Sequence, residues 1–153
     1  GPAKQWPAQH FAKLAKELIE QGRQIWILGS GKDNDIALEI ASTTASEHVH
    51  NLCGKTQLAD VVDLLSLCSA AVSNDSGLMH VAAAFGVPQV AVFGSSSPDH
   101  TPPMSDNARV VWLRLDPNYQ PPLACAPCYE RVCPLEHTRC LEDVNPERVA
   151  AFL

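Results

Sequence analysis

The sequence predicts an α/β fold, a Rossmann-like parallel sheet with helices on both faces, and three observations lead there. Short apolar runs of strand length alternate with segments of helical period. Glycine and proline fall at the junctions. The composition, 46% hydrophobic and 18% charged over 153 residues, suits one compact domain with a sizeable core rather than a disordered chain. Such alternation implies parallel strands joined by right-handed crossovers, with the helices covering the sheet.

The elements follow in order. Pro7 stands where a first helical position is expected, Phe11, Leu14, Ala15, Leu18 and Ile19 follow at helical spacing, and Gly22 is placed to end the helix. "QIWIL" (Gln24 to Leu28) is a short buried strand, and "GSGKDND" is a loop into a second helix that carries Ile36, Ala37, Ile40 and Ala41. "HVHNL" (His48 to Leu52) is the next strand and "CGKTQ" a turn. Leu58, Val61, Val62, Leu64, Leu65 and Leu67 then describe a third helix. "AAVS" (Ala70 to Ser73) is a third strand, and a fourth helix ends at Gly86 before Pro88 introduces "QVAVF" (Gln89 to Phe93).

Composition also narrows the partners. The formal net charge is -6 and the basic residues are scattered, so the footprint of a nucleic-acid binder is missing. No apolar run reaches the roughly 18 residues that cross a bilayer, and "GPAKQWPAQHF" has no signal-peptide core. A soluble chain is expected. The absence of an initiator Met suggests a piece of something larger.

Function is sought at the carboxyl ends of the strands, where an open parallel sheet gathers its strand-to-helix loops. There "SNDSGLMHVAAAFG" (Ser73 to Gly86) packs small polar residues against a helix start, with "GSGKD", "CGKTQ" and "GSSSP" on neighbouring loops. A helix N-terminus offers unpaired N–H groups and partial positive charge. Ser76 or Asp75 can cap it, Gly77 lets a ligand approach the backbone, and His80 lies on the first turn. Asp75 can accept from sugar hydroxyls while the N–H groups and His80 donate to phosphate. Plain capping by Asp75 or Ser76, with an ordinary hydrogen-bonded His80, is the competing reading. "GSGKD" lacks the third glycine of a dinucleotide fingerprint and the ending of a P-loop, and "CGKTQL" lacks the upstream glycine, so neither alone signifies a nucleotide.

The segment "CAPCYERVCPLEHTRC" holds Cys125, Cys128, Cys133 and Cys140. Such thiolates can reach tetrahedral zinc geometry. The later spacings match no standard finger, however, and Pro127 and Pro134 argue for an irregular loop. Disulfides are disfavoured in a cytosolic chain. Metal-free thiols are therefore expected and no metal ligand is assigned. Cys53 and Cys68 are expected in the core.

"KQWP" (Lys4 to Pro7), "LGSGKD" (Leu28 to Asp33), "NLCGKTQL" (Asn51 to Leu58), "SNDSGLMHVAAAFGVPQVAVFGSSSP" and the cysteine segment resemble, in that order, the C-terminal half of ADP-heptose:lipopolysaccharide heptosyltransferases, the type II branch most of all. The resemblance runs over essentially the whole chain. It implies a GT-B glycosyltransferase, of which residues 1–153 would be the C-terminal ADP-heptose-binding domain. The N-terminal acceptor domain, with the family's Asp general base, would be absent, leaving no catalytic residue here. By the same resemblance Lys4 contacts the diphosphate and Asp75, Ser76, Gly77 and His80 hold sugar and phosphates. Asp33, in competition with Asn34 and Asp35, meets the ribose. Gly54, Thr56 and Leu58 line the adenine.

The implied reaction is inverting transfer of heptose from ADP-heptose to the lipopolysaccharide inner core. It would need no cofactor or metal, and the whole enzyme would sit peripherally on the cytoplasmic face of the inner membrane. Two other readings fit the residues: a non-catalytic flavodoxin-like nucleotide-binding module, and an interaction domain clamped by zinc at its cysteines.

Overall fold

The computed structural model describes residues 1–153. A 3-10 turn, Pro2–Lys4, precedes α1 (Ala8–Glu20), β1 (Ile25–Ile27), a second 3-10 turn (Gly31–Asp33), α2 (Asn34–Thr44) and β2 (Val49–Asn51). Then come α3 (Leu58–Leu67), β3 (Ala71–Asn74), α4 (Gly77–Ala84), β4 (Gln89–Val92) and β5 (Ala108–Val111). A third 3-10 turn (Leu113–Leu115) and the short helices α5 (Arg139–Glu142) and α6 (Pro146–Ala150) complete the chain.

Local chemistry sets the helix ends. Pro7 caps α1 one position before its expected place, its carbonyl accepting from His10 N at 3.0 Å and Phe11 N at 3.1 Å. Gly22, at φ 84°, then reverses the chain: its N–H donates to the Ile19 carbonyl at 2.9 Å and that of Arg23 to the Leu18 carbonyl at 3.1 Å. This paired closure is the Schellman motif, which needs a left-handed residue. Gly86, at φ 65°, closes α4 in the same way, with Gly86 N to Ala83 O at 3.0 Å and Val87 N to Ala82 O at 3.1 Å.

All the strand pairs are parallel, but the strands form two sheets rather than one. β1 pairs with β2, Ile25 opposite Val49, and β3-β4-β5 form a second sheet with Ala71 opposite Gln89 and Gln89 opposite Ala108. Between β1 and β3 lies an apolar cleft of about 1130 Å³. Leu14 and Leu18 of α1, Ile40 of α2 and Leu65 of α3 line it with Ile25, Ile27 and Val72, and no backbone ladder joins β1 to β3. β5 lies beyond the alternation read from the sequence. It follows β4 through a loop, so no helical period announces it.

The main core gathers Leu14, Leu18, Met79, Val90 to Phe93, Val111, Leu141, Val144 and Val149 around Trp6. Trp6 is 1% exposed. Its ring N–H donates to the Val144 carbonyl at 3.0 Å, and its backbone N–H donates to Asn74 Oδ1 at 2.9 Å. Burying an indole requires such a partner. Here the partners pin the start of the chain beside the carboxyl end of β3. No helix is long and apolar enough to cross a membrane.

Candidate functional site

Asp75 follows directly on β3, and three side chains from two segments distant in sequence converge on its carboxylate. Ser96 Oγ donates to Oδ2 at 2.6 Å, Thr101 Oγ1 donates to Oδ1 at 3.4 Å, and Lys4 Nζ lies 3.3 Å from Oδ2. The Asp75 side chain is 8% exposed and that of Lys4 46%, so the anion is held and the cation stays accessible. The loop after β4 supplies Ser96 from the run Ser95 to Ser97, all buried. Ser95 N in turn donates to the Ala3 carbonyl at 3.3 Å, joining that loop to the turn that carries Lys4.

This arrangement corrects the capping reading. Ser76 occupies the N-cap position of α4 with extended backbone, but no side chain caps the helix, and Asp75 is committed elsewhere. The first N–H groups of α4 are left without a side-chain acceptor, beside exposed Ser76 and Gly77. His80 is exposed on the first turn. Lys4 stands in the 3-10 turn ahead of α1 rather than at the helix start. Ser96 and Thr101 were not singled out from the sequence; the only signal was the serine-rich "GSSSP" loop at the same sheet end.

A second group of expected residues lies on the loops after β1 and β2. Asp33 Oδ2 accepts from Ser30 N at 2.9 Å and Ser30 Oγ at 3.3 Å, so one of its oxygens is used in shaping its own loop. Asn34 Oδ1 accepts from Asn51 Nδ2 at 3.0 Å, and Asp35 is exposed. Gly54, at φ 72°, brings its loop against the other: a Cβ there would stand 3.1 Å from Gly31 Cα, and Gly54 N donates to the Gly29 carbonyl at 3.1 Å. Thr56 Oγ1 is buried with no hydrogen-bond partner, and Leu58 is 71% exposed. The cleft between the sheets brings together Asp33, Thr56, Leu58, Ser76 and Gly77, but neither Gly54 nor His80 lines it. Lys4 and Asp75 adjoin it through their chain neighbours Gln5 and Asn74.

Residues 1–138 match the model of glycosyltransferase family 9 (heptosyltransferase). The chain belongs to that family. It is 53% identical over 116 residues to lipopolysaccharide heptosyltransferase 2 of Salmonella typhimurium, covering 74% of this chain and 33% of the relative. It is 37% identical over 153 residues to lipooligosaccharide heptosyltransferase 2 of Campylobacter jejuni, covering 97% and 45%. The solved structure of the Escherichia coli ADP-heptose lipopolysaccharide heptosyltransferase II superposes with a TM-score of 0.80 at 42% identity, over 99% of this chain and 41% of that one. The Escherichia coli heptosyltransferase WaaC with ADP superposes with a TM-score of 0.61 at 27% identity, over 71% and 33%. The chain thus spans between a third and a half of these relatives.

The six cysteines of this family 9 chain are free thiols. Cys53 is buried and Cys68 half-buried, and burial pushes both thiols up. The other four line one small cavity. Cys133 is pulled below the ordinary thiol range because the N–H groups of Thr138, Leu135, His137 and Glu136 donate to its sulfur. Cys140 is pushed up to about 11, by burial first and then by the neighbouring Cys133, Cys125 and Cys128.

Proposed function

We propose that this chain is the donor-binding domain, residues 1–153, of an inverting heptosyltransferase that moves heptose from ADP-heptose to the lipopolysaccharide inner core. The observation that carries the proposal is the Asp75 carboxylate, fixed by Ser96, Thr101 and Lys4 beside the uncapped N-terminus of α4. Free N–H groups and a solvent-accessible ammonium suit a diphosphate. A buried, oriented carboxylate suits hydroxyl donors on the sugar. Membership of family 9 and the likeness to an ADP-bound relative support the same reading.

In the proposed mechanism a base on the partner domain deprotonates the acceptor hydroxyl, which attacks the anomeric carbon from the side opposite ADP. Negative charge then develops on the departing diphosphate. The amides of Gly77 and Leu78, the Lys4 ammonium and His80 stabilise it, and because the fold fixes them beforehand they need little reorganisation. Thr56, with a buried hydroxyl still unpaired, and Gly54 and Leu58 receive the adenine. Asp33 receives the ribose through the oxygen that Ser30 leaves unused. The acceptor, and peripheral contact with the inner face of the membrane, belong to the whole protein.

Titration calorimetry of the chain with ADP, ADP-heptose and GDP-mannose tests the proposal. Binding of both adenine ligands in preference to GDP-mannose, with no transfer by the chain alone, is the expected result. Equal binding of all three would leave a general nucleotide-binding module instead, and robust turnover by this chain would overturn the two-domain account.

A further inference from the structure

The two sheets face each other across the cleft with unpaired edges. A parallel strand bonds its two neighbours through alternate residues, because successive peptide groups point to opposite sides. In β1 the residues that serve β2 are Ile25, whose N–H donates to the His48 carbonyl at 2.9 Å, and Ile27, whose carbonyl accepts from Leu52 N at 2.9 Å. The peptide N–H and carbonyl of Trp26 therefore point the other way. In β3 Ala71 N donates to the Pro88 carbonyl at 2.8 Å, so Ala71 and Ser73 serve β4 and the peptide groups of Val72 are left over. Trp26 and Val72 both line the apolar cleft of about 1130 Å³.

Burial marks the same seam. Every residue of β4, which has a neighbour on each side, is buried, whereas every residue of β3 is only half-buried. Trp26 is 37% exposed, and Leu58 and Leu67, at the two ends of α3, are 71% and 75% exposed where they line the cleft. Open edges beside apolar surface of this extent invite pairing with another strand. A rise of about 3.3 Å, a strand spacing of about 4.8 Å and a layer spacing of about 10 Å give each strand residue roughly 160 Å³. The cleft thus has room for about seven residues.

We propose that an extended apolar segment of the same protein, from the polypeptide just ahead of Gly1, lies in this cleft as a strand parallel to β1 and β3 and bonded to both. Chain order selects that occupant. α2 joins β1 to β2 and α4 joins β3 to β4, each linking two strands that pair. α1 leads into β1 and lines the cleft with Leu14 and Leu18, but no strand of residues 1–153 precedes it. A strand ahead of α1 and beside β1 makes α1 a crossover of the same kind and hand. The stretch that such a strand runs into is already held: Trp6 N donates to Asn74 Oδ1 at 2.9 Å and Ser95 N to the Ala3 carbonyl at 3.3 Å. Those contacts lie at the carboxyl end of β3, where a strand parallel to β3 must finish. Polypeptide is on hand for it, since the chain covers 41% of the solved Escherichia coli heptosyltransferase II.

The result is one continuous sheet in which the added strand, first in chain order, lies between β1 and β3 as in a doubly wound dinucleotide-binding fold. The crevice at its carboxyl end is the mouth bordered by Asp33, Thr56, Ser76 and Gly77, which stays open to a ligand. The folded unit then begins ahead of Gly1. This inference rests on the strand edges and not on the glycosyl-transfer reading.

The test uses the full-length protein. In amide exchange resolved to single residues, the N–H groups of Trp26 and Val72 should exchange roughly a hundredfold or more slower than those of exposed loops, because a strand on each side holds them. A benzophenone side chain placed at Trp26 or Leu67 should photo-cross-link to the roughly ten residues ahead of Gly1, a strand and a short connection. Placed at Leu115, which is exposed but does not line the cleft, it should leave that segment unlabelled. Cross-links from Trp26 and Leu67 to another part of the protein overturn the proposal. So do cross-links to a second copy, read from a mixture of light- and heavy-isotope protein, or the lack of any cross-link to that segment. Fast exchange at Trp26 and Val72 in the unmodified protein overturns it as well, and that reading depends on no variant's folding.

Discussion

The Ser96 hydroxyl donates to Asp75 Oδ2 over 2.6 Å, across 21 positions of sequence, and turns the carboxylate away from the helix it precedes. Lys4 reaches the same oxygen at 3.3 Å. Asp75 is therefore a receiver of donors from two loops, and α4 is left open to a ligand.

Asp75→Asn separates the two roles the sequence allowed. Asn caps a helix about as well as Asp, so a capping residue would tolerate the change silently. Here the change removes the charge that holds Lys4 and replaces one acceptor oxygen with a donor. Melting should fall slightly, since the pair with half-exposed Lys4 is worth at most about 1 kcal/mol. ADP-heptose affinity should fall further than ADP affinity. Parallel titration of the two ligands checks it; equal binding losses would remove the sugar contact.

Lys4→Ala and His80→Ala should weaken ADP more than adenosine. A contact with a charged partner contributes about 1.5–3 kcal/mol, or roughly ten- to hundredfold in Kd. Adenosine offers no phosphate to lose. Competition titrations of ADP and adenosine on each variant measure the difference, and identical losses for the two ligands would assign the residues to the fold.

Three glycines should differ in their tolerance of Ala. Gly22 has a left-handed φ of 84° and open space around it, so Gly22→Ala should cost only the backbone strain of about 1–2 kcal/mol. Gly54→Ala meets the same strain and also the Gly31 backbone at 3.1 Å, so it should cost more and shift the two loops apart. Gly94→Ala would drive a Cβ to 2.7 Å from Leu141 Cγ and 3.1 Å from the Ala3 carbonyl, overpacking worth about 1–3 kcal/mol. Denaturant melts of the three variants would rank them.

Asp116 links the segment after β5 to α6. Its carboxyl is held below the usual carboxylate range, first by the Asn118 N–H at 2.9 Å and then by Arg148 Nη1 at 2.6 Å. A lowered folded pKa means that its stabilisation is present above the unfolded value of about 3.9 and is lost as pH falls through the folded value. Asp116→Asn should therefore lower the melting temperature at neutral pH and flatten its decline in acid. Melts from pH 7 to pH 2 on both proteins provide the comparison; an unchanged acid slope would mean that Asp116 is unlinked to stability.

What the sequence by itself determined is mostly local. Pro7 and Gly22 bracket α1, Gly86 ends α4, and the strand-length runs at "QIWIL", "HVHNL", "AAVS" and "QVAVF" alternate with helices, because caps, turns and periodicity act over a few residues. The family was legible for the same reason, since its motifs are contiguous stretches. Tertiary structure decided the rest. Lys4, Ser96 and Thr101 share no period or spacing with Asp75, and only the packing of Trp6 against Asn74 and Val144, with the burial of Ser95 to Ser97, brings them to one carboxylate. The division of the strands between two sheets and the meeting of four cysteines around one cavity depend on contacts between distant elements. Such contacts lower free energy only once the chain has closed on itself, so no local pattern records them.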